Sequence, residues 1–151
     1  MQLQTAQDLA LRLMQEHGIT DDGWTFRWSH GKQTLGTASY GRKKITLSHY
    51  HATLNDEDAV RDTILHEIAH ALAGPGNKHN HIWRAWCRRI GAKPERCDTT
   101  CNVPLPRYRT VCPVHGTVST QYRRRRSTVL AGRMCVHCGP SSLGLLRQIK
   151  V

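Results

Sequence analysis

The stretch Asp62-Thr63-Ile64-Leu65-His66-Glu67-Ile68-Ala69-His70-Ala71-Leu72 decides the reading of this chain. It carries H-E-x-x-H inside a segment whose apolar residues, Val60, Ile64, Leu65, Ile68, Ala69 and Leu72, recur at helical spacing. One turn apart on such a helix, His66 and His70 project from the same face and can take adjacent corners of a tetrahedral zinc ion. Glu67 points slightly aside, where a carboxylate can take the proton of an attacking water. The flanks support a helix with a buried side. Asn55-Asp56-Glu57-Asp58 reads as an N-cap followed by acidic first-turn residues, and Gly74-Pro75-Gly76 stops the helix.

Upstream, Leu3, Ala6, Leu9, Ala10, Leu13 and Met14 mark an amphipathic helix that ends near His17-Gly18. Trp24, Phe26 and Trp28 alternate as on a strand, Leu35 to Tyr40 predicts a second strand, and Ile45 to Ser48 a third. Gly41-Arg42-Lys43-Lys44 reads as a basic hairpin turn, and His49 to Leu54, with His49 and His51, as a loop before the metal helix. The expectation is an α+β fold: helices with a small, mainly antiparallel sheet.

Downstream of the glycine break the chain must return a third metal ligand, and His79, His81 and Glu95 are the candidates. A metzincin pattern would need glycine at 73 and histidine at 76, where this chain has Ala73 and Gly76. Glu95 is the only downstream glutamate, but it follows Pro94 beyond the next helix. That helix carries Trp83, Trp86, Cys87 and Ile90 as an i, i+3, i+4, i+7 stripe, so a ligand at its N-terminal edge would be held firmly.

The composition changes after Pro94, where Cys97, Cys101, Pro104 and Pro106 lie in a stretch of little periodicity. Two knuckles follow, Cys112-Pro113-Val114-His115-Gly116 and Cys135-Val136-His137-Cys138-Gly139, with 19 residues between His115 and Cys135. This spacing describes a zinc ribbon ligated by Cys112, His115, Cys135 and Cys138, with His137 a non-ligand and Cys97 and Cys101 ambiguous. Structural zinc would replace a hydrophobic core too small for about 40 residues. The organisation expected is a catalytic domain over 1–95, a linker over 96–108 and a ribbon over 109–151.

Charge is unevenly spread along the 151 residues. Residues 1–67 hold 7 Lys/Arg against 9 Asp/Glu, net −2, whereas residues 68–151 hold 15 against 2, net +13. The asymmetry implies an anionic partner for the C-terminal half, with DNA or another nucleic acid first in line. Arg123, Arg124, Arg125 and Arg126, placed on a hairpin of the ribbon, are the candidate phosphate contacts, and Tyr122 could stack on a base. No run of apolar residues approaches a membrane span, and the N-terminus lacks the pattern of an export signal. Six cysteines without such a signal favour metal ligands over disulfides and a cytoplasmic location.

The H-E-x-x-H helix, the glycine-rich loop, and a histidine with Trp83 four residues later resemble the SprT-like metalloprotease family. Trp24, Phe26, the Ile45–Ser48 strand and Asn55 to Asp58 resemble its actinobacterial and phage-type members, and the likeness spans roughly residues 1–140. In that family the third ligand belongs to an H-G-x-x-[FW] element, and counting back from Trp83 implies His79, with Asn80 in place of the glycine and His81 as the competing imidazole. The resemblance further implies a zincin-like core with one catalytic zinc, a C-terminal ribbon with one structural zinc, and a protein substrate. Cleavage of DNA-associated proteins, as in DNA–protein crosslink repair, is its implied role. Two other readings fit the same residues: a DNA-binding zinc protein whose zincin site is idle or regulatory, and a metallopeptidase of an unrelated soluble substrate.

Overall fold

The structure, a computed structural model, describes residues 1–95 and 100–151, which divide into a unit over Met1–Pro104 and a unit over Leu105–Val151. Cys97 lies outside the described residues.

The first unit opens with helix α1, Leu3–Glu16, which buries Ala6, Leu9, Ala10, Leu13 and Met14. Strands β1 (Thr25–Ser29), β2 (Gly36–Ser39) and β3 (Lys44–Ser48) form one sheet in the order β1-β3-β2. β2 and β3 are an antiparallel hairpin turned at Lys43, a non-glycine residue with φ +42°. β1 pairs with β3 in parallel, Phe26 beside Ile45 and Trp28 beside Leu47. The sheet is therefore mixed, a correction to the mainly antiparallel expectation. β3 is the central strand, and Ile45 to Ser48 are all buried, as expected of a strand flanked on both edges. This order places β2 at one edge of the sheet.

The segment His49–Leu54 is helix α2 and not a loop. Ser48 caps it, its hydroxyl accepting from His51 N at 3.4 Å, and at six residues it is too short to show a period. Asn55 then closes α2 from its C-terminal side by donating to the His51 carbonyl at 2.9 Å. Its carbonyl and amide also pair with the backbone of Asn102, at 2.7 and 2.9 Å.

Helix α3 spans Glu57–Ala73. Its N-cap is Asp56, one residue later than the sequence suggests, with Oδ1 accepting from Ala59 N at 2.9 Å. Gly74 ends it at φ +82°, a conformation that costs glycine little. Helix α4 (His81–Ile90) is capped by Asn80, whose Oδ1 accepts from Ile82 N and Trp83 N, both at 3.1 Å. Leu13, Met14, Ile19, Ile45, Leu47, Ile64, Leu65, Ile68 and Trp83 are almost wholly buried in one core. Each such side chain stabilises the fold by roughly 1.5–3 kcal/mol through burial.

The second unit is an antiparallel sheet in the order β5-β4-β6, from β4 (Tyr108–Cys112), β5 (Gly116–Gln121) and β6 (Arg147–Lys150). Short helix α5 (Ser127–Ala131) and a 3₁₀ turn at Gly139–Ser142 complete it. Its buried apolar cluster holds only Cys112, Cys135 and Leu146, with Val118 and Cys138 packed against them. The four arginines are not at a hairpin tip, because the β4–β5 turn is the first knuckle, Pro113–His115. They lie after β5, in the loop leading to α5. Among the described residues no helix is long and apolar enough to cross a membrane.

Candidate metal centres

α3 presents His66 and His70 on one face, and the loop before α4 returns His79 to them. His79 Nε2 lies 3.2 Å from His66 Nε2 and 3.2 Å from His70 Nε2. Three nitrogens about 2.0–2.1 Å from one zinc would be roughly 3.3 Å apart at tetrahedral angles, so the donor set fits that ion. His79 reaches this position from a left-handed backbone, φ +52°. Asn77 and Asn80 brace the loop: Asn80 Nδ2 donates to Asn77 Oδ1 at 2.8 Å, and Asn77 Nδ2 to the Ala73 carbonyl at 2.6 Å. His81 is the first residue of α4 and is exposed, outside the cluster. Glu95 lines the same cleft but belongs to neither group of potential ligands.

Trp83 is the floor under these imidazoles. Its ring centroid is 4.7 Å from that of His66, 5.2 Å from His70 and 4.6 Å from His79. Burial, followed by the charges of neighbouring histidines, pushes His66 down to about 4, and burial and His79 do the same to His70. Both rings are therefore neutral at pH 7, the form that binds metal.

Glu67 is only 8% exposed, and burial pushes its carboxyl up to about 8, opposed by a hydrogen bond from the Ala38 N–H of β2. Tyr40, just beyond β2, donates from its hydroxyl to the His70 carbonyl at 2.7 Å. Its own phenol is raised by burial and then by Glu67. These groups open on a cleft of about 690 Å³, one side of it formed by Gln33 to Ala38 along the β2 edge of the sheet. Neither Ala38 nor Tyr40 stands out by motif or periodicity, because their approach depends on the β2–β3 register.

His51, read from the sequence as a loop residue, is buried behind α3, with Nε2 2.9 Å from Thr63 Oγ1 and Nδ1 3.1 Å from Asn55 Nδ2. It supports the metal helix from behind and does not line the cleft.

The second unit gathers Cys112, His115, Cys135 and Cys138 into the other potential ligand group among the described residues. Cys112 Sγ lies 3.7 Å from Cys138 Sγ, and His115 Nδ1 lies 3.1 Å from Cys138 Sγ and 3.7 Å from Cys135 Sγ. For Zn–S bonds of about 2.3 Å, a tetrahedral S–S edge is roughly 3.8 Å, so these donors also fit zinc. Gly116 and Gly139 close the two knuckles at φ +68° and +61°. The His115 N–H turned toward Cys112, more than any other influence, pulls that thiol down to about 6. Burial and the neighbouring Cys112 and Cys135 sulfurs push Cys138 up to about 11. His137 stays outside the set, its ring 5.1 Å from that of His115. Cys101 is in neither group.

Three imidazoles, two from α3 and one from the loop before α4, converge beside a buried carboxylate of α3 and define a candidate mononuclear metal site with an acid–base group. The model of the SprT-like family matches residues 6–103, and the chain belongs to that family. No curated protein and no solved structure matched the chain.

Proposed function

We propose that the chain is a zinc metalloendopeptidase of the SprT-like type, with a zincin-like core, a C-terminal zinc ribbon and a DNA-associated protein as substrate. The observation that carries this reading is the convergence of His66, His70 and His79 at 3.2 Å beside Glu67. Family membership supports a metalloprotease-type activity. His66, His70 and His79 would hold the catalytic ion, and Cys112, His115, Cys135 and Cys138 the structural one.

A bound zinc ion supplies Lewis acidity at the scissile carbonyl. Burial alone raises the Glu67 carboxyl, but the charge of a zinc ion beside it would favour the ionised form, in which Glu67 would take the proton of the attacking water and deliver it to the leaving amine. The Ala38 N–H orients that carboxylate. In the second unit, a buried cluster of three residues cannot by itself hold the sheet, so zinc stands in for the missing core.

DNA is proposed as the partner of the second unit because residues 105–151 hold nine Lys/Arg and no Asp/Glu. The test is to incubate zinc-loaded protein with a DNA-binding protein, with and without DNA. Cleavage that requires DNA supports the proposal. Equal cleavage in both arms points to an unrelated soluble substrate, and no cleavage in either points to a DNA-binding protein with an idle centre.

A further inference from the structure

The second unit contains a concavity of about 670 Å³ lined by Arg124, Arg125, Arg126, Ser127, Thr128 and Gln148. Three observations separate it from a solvated basic loop.

The first is charge. With nine Lys/Arg and no Asp/Glu between residues 105 and 151, no side-chain carboxylate of the unit can neutralise the arginine run. The second is order. Gln148, on β6, accepts from Arg125 N at 2.7 Å through Oε1, and its amide donates to Gln121 Oε1 at 2.9 Å and to the Arg123 carbonyl at 3.3 Å. One side chain thus holds the loop by two backbone groups. The third is an enclosed donor. Arg125 is half-buried, and its Nε is shielded from solvent with no hydrogen-bond partner among the described residues. Arg123, Arg124 and Arg126 are exposed. A shielded N–H without an acceptor is unfavourable, so a turn of the Arg125 side chain toward the concavity costs it no hydrogen bond at Nε and would let a phosphate satisfy Nε–H and an Nη–H together.

We propose that this concavity is a phosphate pocket, in which Arg125 is the anchoring residue and Gln148 the group that positions it. Arg124 and Arg126 add charge, and Ser127 and Thr128 supply hydroxyl donors. The phosphate is a phosphodiester of a nucleic-acid strand, so the proposal rests on the DNA reading above and narrows it. The four arginines are unequal: one grips and the others attract.

Lysine variants test this, because Arg→Lys keeps the charge and removes the bidentate grip. The full zinc-loaded chain is titrated with a fluorescein-labelled single-stranded oligonucleotide over a range of salt. Arg125→Lys should weaken binding about tenfold with an unchanged salt slope, while Arg123→Lys changes it less than about twofold. Gln148→Ala should weaken binding like Arg125→Lys, with zinc content unchanged. Equal effects of the two lysine variants would overturn the pocket and leave the DNA reading standing.

A second arm uses inorganic phosphate and the arginine Nε–H resonances of the unaltered protein, so it does not depend on any variant folding. Arg125 Nε–H should shift most, and an unmoved Arg125 resonance overturns the pocket. If the unaltered protein binds no oligonucleotide while phosphate shifts Arg125, the pocket stands for a free phosphate group and the DNA reading falls.

Discussion

Gly36 of β2 lies directly against Glu67 of α3: a methyl group on Gly36 would stand 2.9 Å from Glu67 Cγ and 3.2 Å from Oε1. It would also stand 3.1 Å from the Thr46 carbonyl, so the strand could not yield without disturbing the sheet. The β2 edge of the sheet can approach the proposed base this closely only because residue 36 has no side chain.

Gly36→Ala should therefore displace Glu67 while sparing the histidines. We expect kcat to fall at least tenfold, equivalent to about 1.4 kcal/mol in the barrier, with bound zinc unchanged. Steady-state kinetics and elemental analysis on the same preparation check this. An unchanged kcat would show that the contact places no demand on the base.

The two candidate centres predict two zinc ions per chain. His79→Ala should lose one of them, whereas His81→Ala, which alters an exposed residue outside the cluster, should keep both. Metal analysis of the two variants decides between the imidazoles.

Cys135→Ser should lose the other zinc and, with it, the sheet β5-β4-β6, since little else is buried there. Amide exchange should show residues 108–150 losing protection while α1 and α3 keep theirs. Retained protection in β4 without zinc would contradict a structural role for the metal.

Metal-free protein should be acid-sensitive. His66 and His70 are pushed down to about 4 in the fold, against an ordinary value of 6.5. Between those values the unfolded chain binds more protons at these two sites than the folded one, so the histidines' contribution to stability is intact above pH 6.5 and is lost as pH falls toward 4; the opposite shift of Glu67, raised to about 8, offsets part of that loss. Denaturant midpoints of metal-free protein across this window test the sign; replacing both histidines with glutamine should flatten the dependence.

The parts of this molecule that the sequence disclosed are those encoded locally. His66, Glu67 and His70 share one helix, and each knuckle of the second unit sits within five residues, so spacing alone places their side chains together. His79 has no periodicity to announce it, because it sits at φ +52° in a loop braced by Asn77 and Asn80; the register of Trp83 located it through the family pattern. What stayed hidden depends on pairing. Alternation in β1 does not encode strand direction, hence the missed parallel partner in β3. Nor does it reveal that β2 brings Gly36 and Ala38 to Glu67, some 30 residues away. The arginine run was visible, but its placement after β5 follows from Gln148, which arrives from the last strand.

Glu67→Gln is the sharpest test of the proposal that Glu67 is the base of a zinc peptidase. The amide is nearly isosteric and cannot take a proton from water at neutral pH. The measurement is the rate at which zinc-loaded wild type and Glu67→Gln cleave the same protein substrate, with zinc content determined for both. We expect two zinc ions in each and a rate roughly 10²–10⁴-fold lower in the variant. Cleavage by the variant at the wild-type rate, with both zinc ions in place, would contradict it.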